Sequence, residues 1–256
     1  MAFYEKDCRG GIRPVWIVAA AALVLGAMVI FVLRCVALGE GSRLLPIYSV
    51  ETQEKKVAVT FNCAWDAEDI PVLLEILGQY DAKATFFILG QWAEENPGAV
   101  KAIAAAGHEI ATHSNTHPDM TKLGKEEIIN ELTRSCDKIE AAGGGRPTLF
   151  RAPSGAYNND VISTAAEQGF MTVQWDVDSR DWKEPEPAAM AQSVIDNVQN
   201  GSIILLHSGA KPTPEALPKI LDALSQQGYE FVRVSDLILT ENYTIDHEGR
   251  QHSTAK

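Results

Sequence analysis

Apolar residues follow two alternating patterns along this chain. Short, nearly continuous apolar or β-branched runs occur at 57–61, 84–89, 109–112, 148–150, 171–175, 202–206 and 230–234. Runs of that length without polar alternation predict strands covered on both faces. Longer amphipathic stretches separate them. In KEEIINELTRSCDKIEAAGG, residues Ile128, Leu132, Cys136 and Ile139 recur at spacings of four, four and three, which places them on one helix face. Gly143 to Gly145 end that helix, and Gly107, Gly169, Gly201 and Gly228 close similar stretches just before the next apolar run. Glycine there permits the left-handed turn that terminates a helix.

Strands alternating with helices imply a parallel sheet covered by helices. With about seven units, the fold class is α/β, as a barrel or an open doubly wound sheet. No GxGxxG follows the first strand, so a barrel-like (β/α) architecture is favoured over a dinucleotide fold. Such folds carry chemistry at the carboxyl ends of their strands. Those ends read Asn62 and Cys63, then His113, Arg151, Asp176 with Asp178, and His207. The repeat occupies 55–240 as one domain. Residues 36–54 read as a linker, and 241–256 as a polar, aperiodic, disordered tail in which His247 and His252 are given no role.

Ahead of this domain, residues 15–33 carry no charge over 19 positions, long enough to span a bilayer core as a helix. Lys6, Arg9 and Arg13 precede the stretch, so 1–14 is expected to be cytoplasmic, 15–35 a single transmembrane anchor and the remainder extracytoplasmic at the cell membrane. A net charge of −12 argues against a nucleic-acid partner. Four cysteines are too few for a disulfide scaffold, and only Cys63 and Cys136 are placed so that they could pair.

In ATHSNTHPD, His113 and His117 lie four apart, a spacing that lets two imidazoles address one ion; alone it is more often incidental, and its place beside a strand end strengthens the metal reading. Arg151 follows a strand. If buried it needs a carboxylate, and QWDVDSRDW offers Asp176, Asp178 and Asp181. His207, on the last position of SIILLH, reads as an acid or base rather than a core histidine.

The ordered set TFNCAW, HSNTH, RAPSG, DVDSRDW and LLH resembles the five motifs of the polysaccharide deacetylase family, the NodB-homology domain of carbohydrate esterase family 4. It is most similar to membrane-anchored, sporulation-type members. The resemblance covers about residues 55–239. It implies a distorted (β/α) barrel that removes acetyl groups from an N-acetylated polysaccharide such as peptidoglycan with a divalent metal, commonly zinc. Carried over, His113 and His117 are metal ligands and His207 is the acid that protonates the leaving amine. Asp181 pairs with His207, Arg151 orients the base and the Ser154 N–H holds the oxyanion. Trp182 and Leu205 form the pocket for the acetyl methyl.

The first motif departs from the family's TFDDG. Asn62 stands at the base position and Cys63 at the third metal-ligand position. An amide can position water but cannot take its proton, whereas a thiolate can ligate zinc and a thiol can equally fill a core. Asp66 and Asp69 are either displaced carboxylates or helix caps. Ala152 and Ser154 replace residues of the usual third motif. Two functions remain: a membrane-anchored hydrolase of reduced or altered chemistry, and a catalytically inactive glycan-binding pseudoenzyme of the same fold.

Overall fold

The computed structural model describes residues 43–255, and a compact unit begins at Leu44. The expected anchor and the two cysteines that flank it, Cys8 and Cys35, lie outside the described residues. Among the described residues no helix is long and apolar enough to cross a membrane.

In chain order the domain runs β1 (Ser49–Val50), β2 (Lys56–Cys63), α1 (Ile70–Gln79), β3 (Ala84–Ile88), α2 (Gly90–Glu95), α3 (Pro97–Ala105), β4 (Glu109–Thr112) and α4 (Lys125–Ala141). It continues through β5 (Leu149–Phe150), α5 (Asn159–Glu167), β6 (Met171–Thr172), β7 (Val177–Asp178), α6 (Pro187–Asn197), β8 (Ile203–His207), α7 (Thr213–Gln226), β9 (Glu230–Phe231), α8 (Val234–Leu237), β10 (Tyr243–Ile245) and β11 (Arg250–Ser253). The parallel sheet has the order β6-β5-β4-β3-β2-β8-β7, with β9 also paired to β2. It curls into a barrel that does not close, since β6 and β7 are its edges. Into that opening runs the segment at Ile47, which bridges Val173, while Ser49 bridges Ser202. The turn into β8 passes so close to this segment that a Cβ on Gly201, at φ +81°, would collide with the Val50 carbonyl.

Side chains alternate between two cores because successive strand residues point to opposite faces. On β2, Val57, Val59, Phe61 and Cys63 pack outward with Leu73 and Leu77 of α1 and Leu217 and Leu221 of α7. Ala58 faces inward with Phe87, Ala111, Leu149 and Ile203. A third cluster joins Ile128 and Leu132 of α4 to Phe150 and to Val161 and Ala165 of α5.

Two expectations need correction. Ile47, Ser49 and Val50 of the expected linker are buried in the barrel opening. The expected disordered tail forms β10 and β11, an antiparallel pair whose β11 lies parallel to β1. Gln251 is fully buried, donating to the Leu239 carbonyl and accepting the Leu239 N–H. Neither segment has apolar periodicity. Their order comes from pairing with each other, which only the tertiary fold supplies.

Candidate active site

The carboxyl ends of β2, β4, β5 and β8 open onto one cavity of about 720 Å³, a size suited to a small ligand. Asn62, His113, His117, Ser154, Trp182, Leu205 and His207 all line it. Cys63, Arg151 and Asp181 stand behind this lining.

The His207 imidazole is held from behind. Asp181 is fully buried, and its Oδ1 accepts the Nδ1–H of His207 at 2.7 Å. Asp181 Oδ2 accepts the His207 backbone N–H at 2.6 Å and the Thr213 hydroxyl at 2.8 Å. A carboxylate with its lone pairs so occupied fixes the ring's tautomer and orientation. Nε2 is left as the working nitrogen.

His113 follows β4 and is almost fully buried. Its Nδ1 lies 2.8 Å from the Arg151 carbonyl oxygen. That oxygen only accepts, so Nδ1 carries the proton and Nε2 keeps its lone pair. Burial, then the neighbouring His117, holds His113 well below the usual histidine pKa, and burial lowers His117 as well. The two rings meet edge to face with centroids 5.1 Å apart. Their loop bends through left-handed Ser114 and His117. Glu131 of α4 pins it, accepting the N–H groups of Asn115 and Thr116 at 2.9 Å each and the Thr116 hydroxyl at 3.0 Å.

Arg151 is fully buried and, contrary to expectation, is not paired with Asp176, Asp178 or Asp181. Its Nη1 donates to Thr60 Oγ1 at 2.9 Å and to Asn62 Oδ1 at 3.0 Å, and its Nη2 donates to the Gln174 carbonyl at 3.0 Å. The guanidinium also lies 3.8 Å over the Phe87 ring, a contact in which the aromatic quadrupole replaces part of the missing counter-charge. Asp176 is committed elsewhere, accepting from Ser202 Oγ and Ile203 N–H, and Asp178 accepts the Arg180 N–H. Because Asn62 Oδ1 faces Arg151, its amide NH2 is the group left for the cavity. The position expected to accept a proton therefore presents donors.

Cys63 is one residue further along β2 and so faces the opposite side. It is fully buried in the core, and burial pushes its thiol up to about 12. The structure does not bring it to His113 and His117. Among the described residues no set of three His, Cys, Asp or Glu side chains is placed to hold a metal. The donor set is two neutral imidazoles without an anionic third ligand, which does not fit the expected zinc site. Cys63 and Cys136 are both free thiols. Asp69 precedes α1 without capping it, and its Oδ2 instead accepts the Gly209 N–H at 2.8 Å. Asp66 makes a local turn with the Glu68 N–H.

Three contributions were not read from the sequence. Glu131 holds the histidine loop, Trp175 lines the cavity, and Trp65 stacks on His207. Trp65 sits inside the first motif, where its nearness to a strand end was the available signal.

A family model described as Polysaccharide deacetylase matches residues 49–173. The chain is 38% identical over 193 residues to the uncharacterized protein YlxY of Bacillus subtilis (strain 168), a match over 75% of this chain and 60% of YlxY. It is also 38% identical over 196 residues to a peptidoglycan-N-acetylglucosamine deacetylase of Bacillus cereus, over 75% of this chain and 92% of that protein. A solved structure of a wild-type CE4 family pseudoenzyme from Bacillus anthracis is 38% identical with a TM-score of 0.72, over 75% of this chain and 68% of that one. A mutant of that pseudoenzyme has restored enzymatic activity. Five motifs converging on one cavity, together with identity along nearly the full length of a deacetylase, place this chain in the polysaccharide deacetylase family of carbohydrate N-deacetylating hydrolases.

Proposed function

We propose that this protein is a deacetylase-type hydrolase of N-acetylated glycan, of the peptidoglycan kind, whose turnover is depressed because the water-activating half of its site is lost. The observation that carries this reading is the Asp181-held His207 opening on the same cavity as Asn62 and the two histidines. Amide hydrolysis needs a base for water, donors for the oxyanion and an acid for the amine. His207 Nε2 supplies the proton to the leaving nitrogen, and Asp181 stabilises the imidazolium before transfer. The Ser154 backbone N–H is assigned to the oxyanion, and Trp182 with Leu205 to the acetyl methyl. Asn62 orients water through its NH2 and takes no proton, so the proton of the attacking water passes to bulk solvent rather than to a protein base, a loss of about 10² to 10⁴ in rate. The apolar stretch 15–33 supports an anchor that holds the domain outside the membrane, and the expected sporulation role belongs to this same proposal.

A second reading, a glycan-binding pseudoenzyme, is favoured by the outward-facing Cys63 and the missing third ligand, and by the likeness to the Bacillus anthracis protein. Acetate release from N-acetylglucosamine oligomers and peptidoglycan, measured on the full-length chain with and without Zn²⁺, separates them. Slow release that His207→Ala abolishes is the expected result. Oligosaccharide binding without any acetate would reject hydrolysis in favour of the second reading, and failure to bind would reject both.

A further inference from the structure

The indole of Trp65 lies over the imidazole of His207, with ring centroids 5.2 Å apart and planes at 25°. It is nonetheless 49% exposed, and it borders the cavity. Among the described residues the exposed large hydrophobic side chains are Leu44, Trp65, Val72 and Trp182, and both of these indoles flank this one cavity. Two indoles exposed at the edge of one cavity, rather than one apolar residue scattered alone, form a surface suited to contact.

The loop carrying Trp65 is secured without help from the indole. Asp69 Oδ2 accepts the Gly209 N–H at 2.8 Å, and the Asp66 carbonyl accepts the Trp92 indole N–H at 3.2 Å. The Ser208 N–H donates to the Asn62 carbonyl at 3.1 Å. Loop and post-β8 turn touch so closely that a Cβ on Gly209 would lie 3.2 Å from Trp65 Cβ and 3.3 Å from Asp66 Oδ2. Asp181 holds the His207 ring at its Nδ1 edge, and Trp65 covers one ring face. Between them they leave the Nε2 edge and restrict rotation. With one indole face on the imidazole, the other is available as an apolar platform, the surface that the C–H face of a pyranose takes.

We propose that Trp65 is a positioning residue for His207 and, resting on the glycan reading above, the platform for one pyranose ring of a neutral N-acetylated saccharide. A sugar seated on the indole lies beside the proton donor, so binding and acid placement are coupled through one side chain.

The test uses the full-length chain with Trp65→Leu and Trp65→Phe. In the NMR spectrum, the His207 ring protons are expected to be shifted upfield by the indole ring current. That shift should persist in Trp65→Phe and vanish in Trp65→Leu. In calorimetric titration with N-acetylglucosamine oligomers, Trp65→Leu is expected to weaken binding about tenfold, with Trp65→Phe close to native, as a lost aromatic contact of about 1.4 kcal/mol requires. His207 resonances that do not differ between native and Trp65→Leu would overturn the positioning role. Native binding unaffected by Trp65→Leu would overturn the platform while leaving the functional reading intact. No binding by the native chain would overturn both.

Discussion

Asn62 and Arg151 show how one side-chain exchange reverses the polarity of a site. A guanidinium with no exposed surface costs several kcal/mol to desolvate, and here neutral oxygens and the Phe87 face meet it instead of a carboxylate. Asn62→Asp would supply the missing counter-charge. It is expected to raise stability by about 1–3 kcal/mol, read as a higher urea midpoint, whereas Asn62→Ala should lower it by about 1–3 kcal/mol by leaving the Nη1 donor short of an acceptor. A midpoint that falls in Asn62→Asp would show that Arg151 does not need that charge. Cys63 behaves oppositely. Its side chain is in the core between β2 and its covering helices, so Cys63→Asp buries a carboxylate without a partner and should cost several kcal/mol. A neutral effect on unfolding would place that side chain in the cavity after all. The sequence showed which residues stand at the strand ends but not which way they face. Strand alternation puts Asn62 and Cys63 on opposite sides, but which of the two meets the cavity follows only once the placement of β2 in the sheet is known.

At the scale of elements, β1, β10 and β11 form a clasp that polar sequence conceals. His252 on β11 lies between Asp246 Oδ2 at 2.7 Å and Glu51 Oε2 at 2.6 Å. Its hydrogen bond to Asp246, then that to Glu51, raises the histidine pKa above 6.5, and the bond to His252 pulls Asp246 down to about 2. A raised histidine pKa gives stabilisation that is complete below 6.5 and lost as pH rises through the folded value. A lowered aspartate pKa gives stabilisation present above 3.8 and lost as pH falls toward 2. The clasp should therefore hold best between about pH 4 and 6.5 and weaken in high salt, since all three groups face solvent. Protection of the amides of Arg250–Ser253 against hydrogen exchange, corrected for the intrinsic pH dependence of amide exchange, should be greatest in that window, and His252→Ala should remove its variation with pH. Protection factors that are flat with pH in the native chain would contradict this.

For the whole molecule, the α/β alternation was legible because a parallel sheet covered by helices forces apolar strands, and glycine-ended helices mark the intervals between them. The strand-end positions of Asn62, His113 and His207 were legible for the same reason. Illegible parts depend on long-range pairing: the Ile47–Val50 plug, the β10–β11 hairpin, and the acceptors that replace a carboxylate around Arg151. The cavity has an acid half that is complete and a base half that is not. Acetate release from N-acetylglucosamine oligomers by the native chain and by Asn62→Asp, under identical metal conditions, tests that division most directly. A gain of about 10² to 10⁴ in Asn62→Asp, abolished by adding His207→Ala, is the predicted result. An Asn62→Asp chain no faster than native, or one indifferent to His207→Ala, would contradict it.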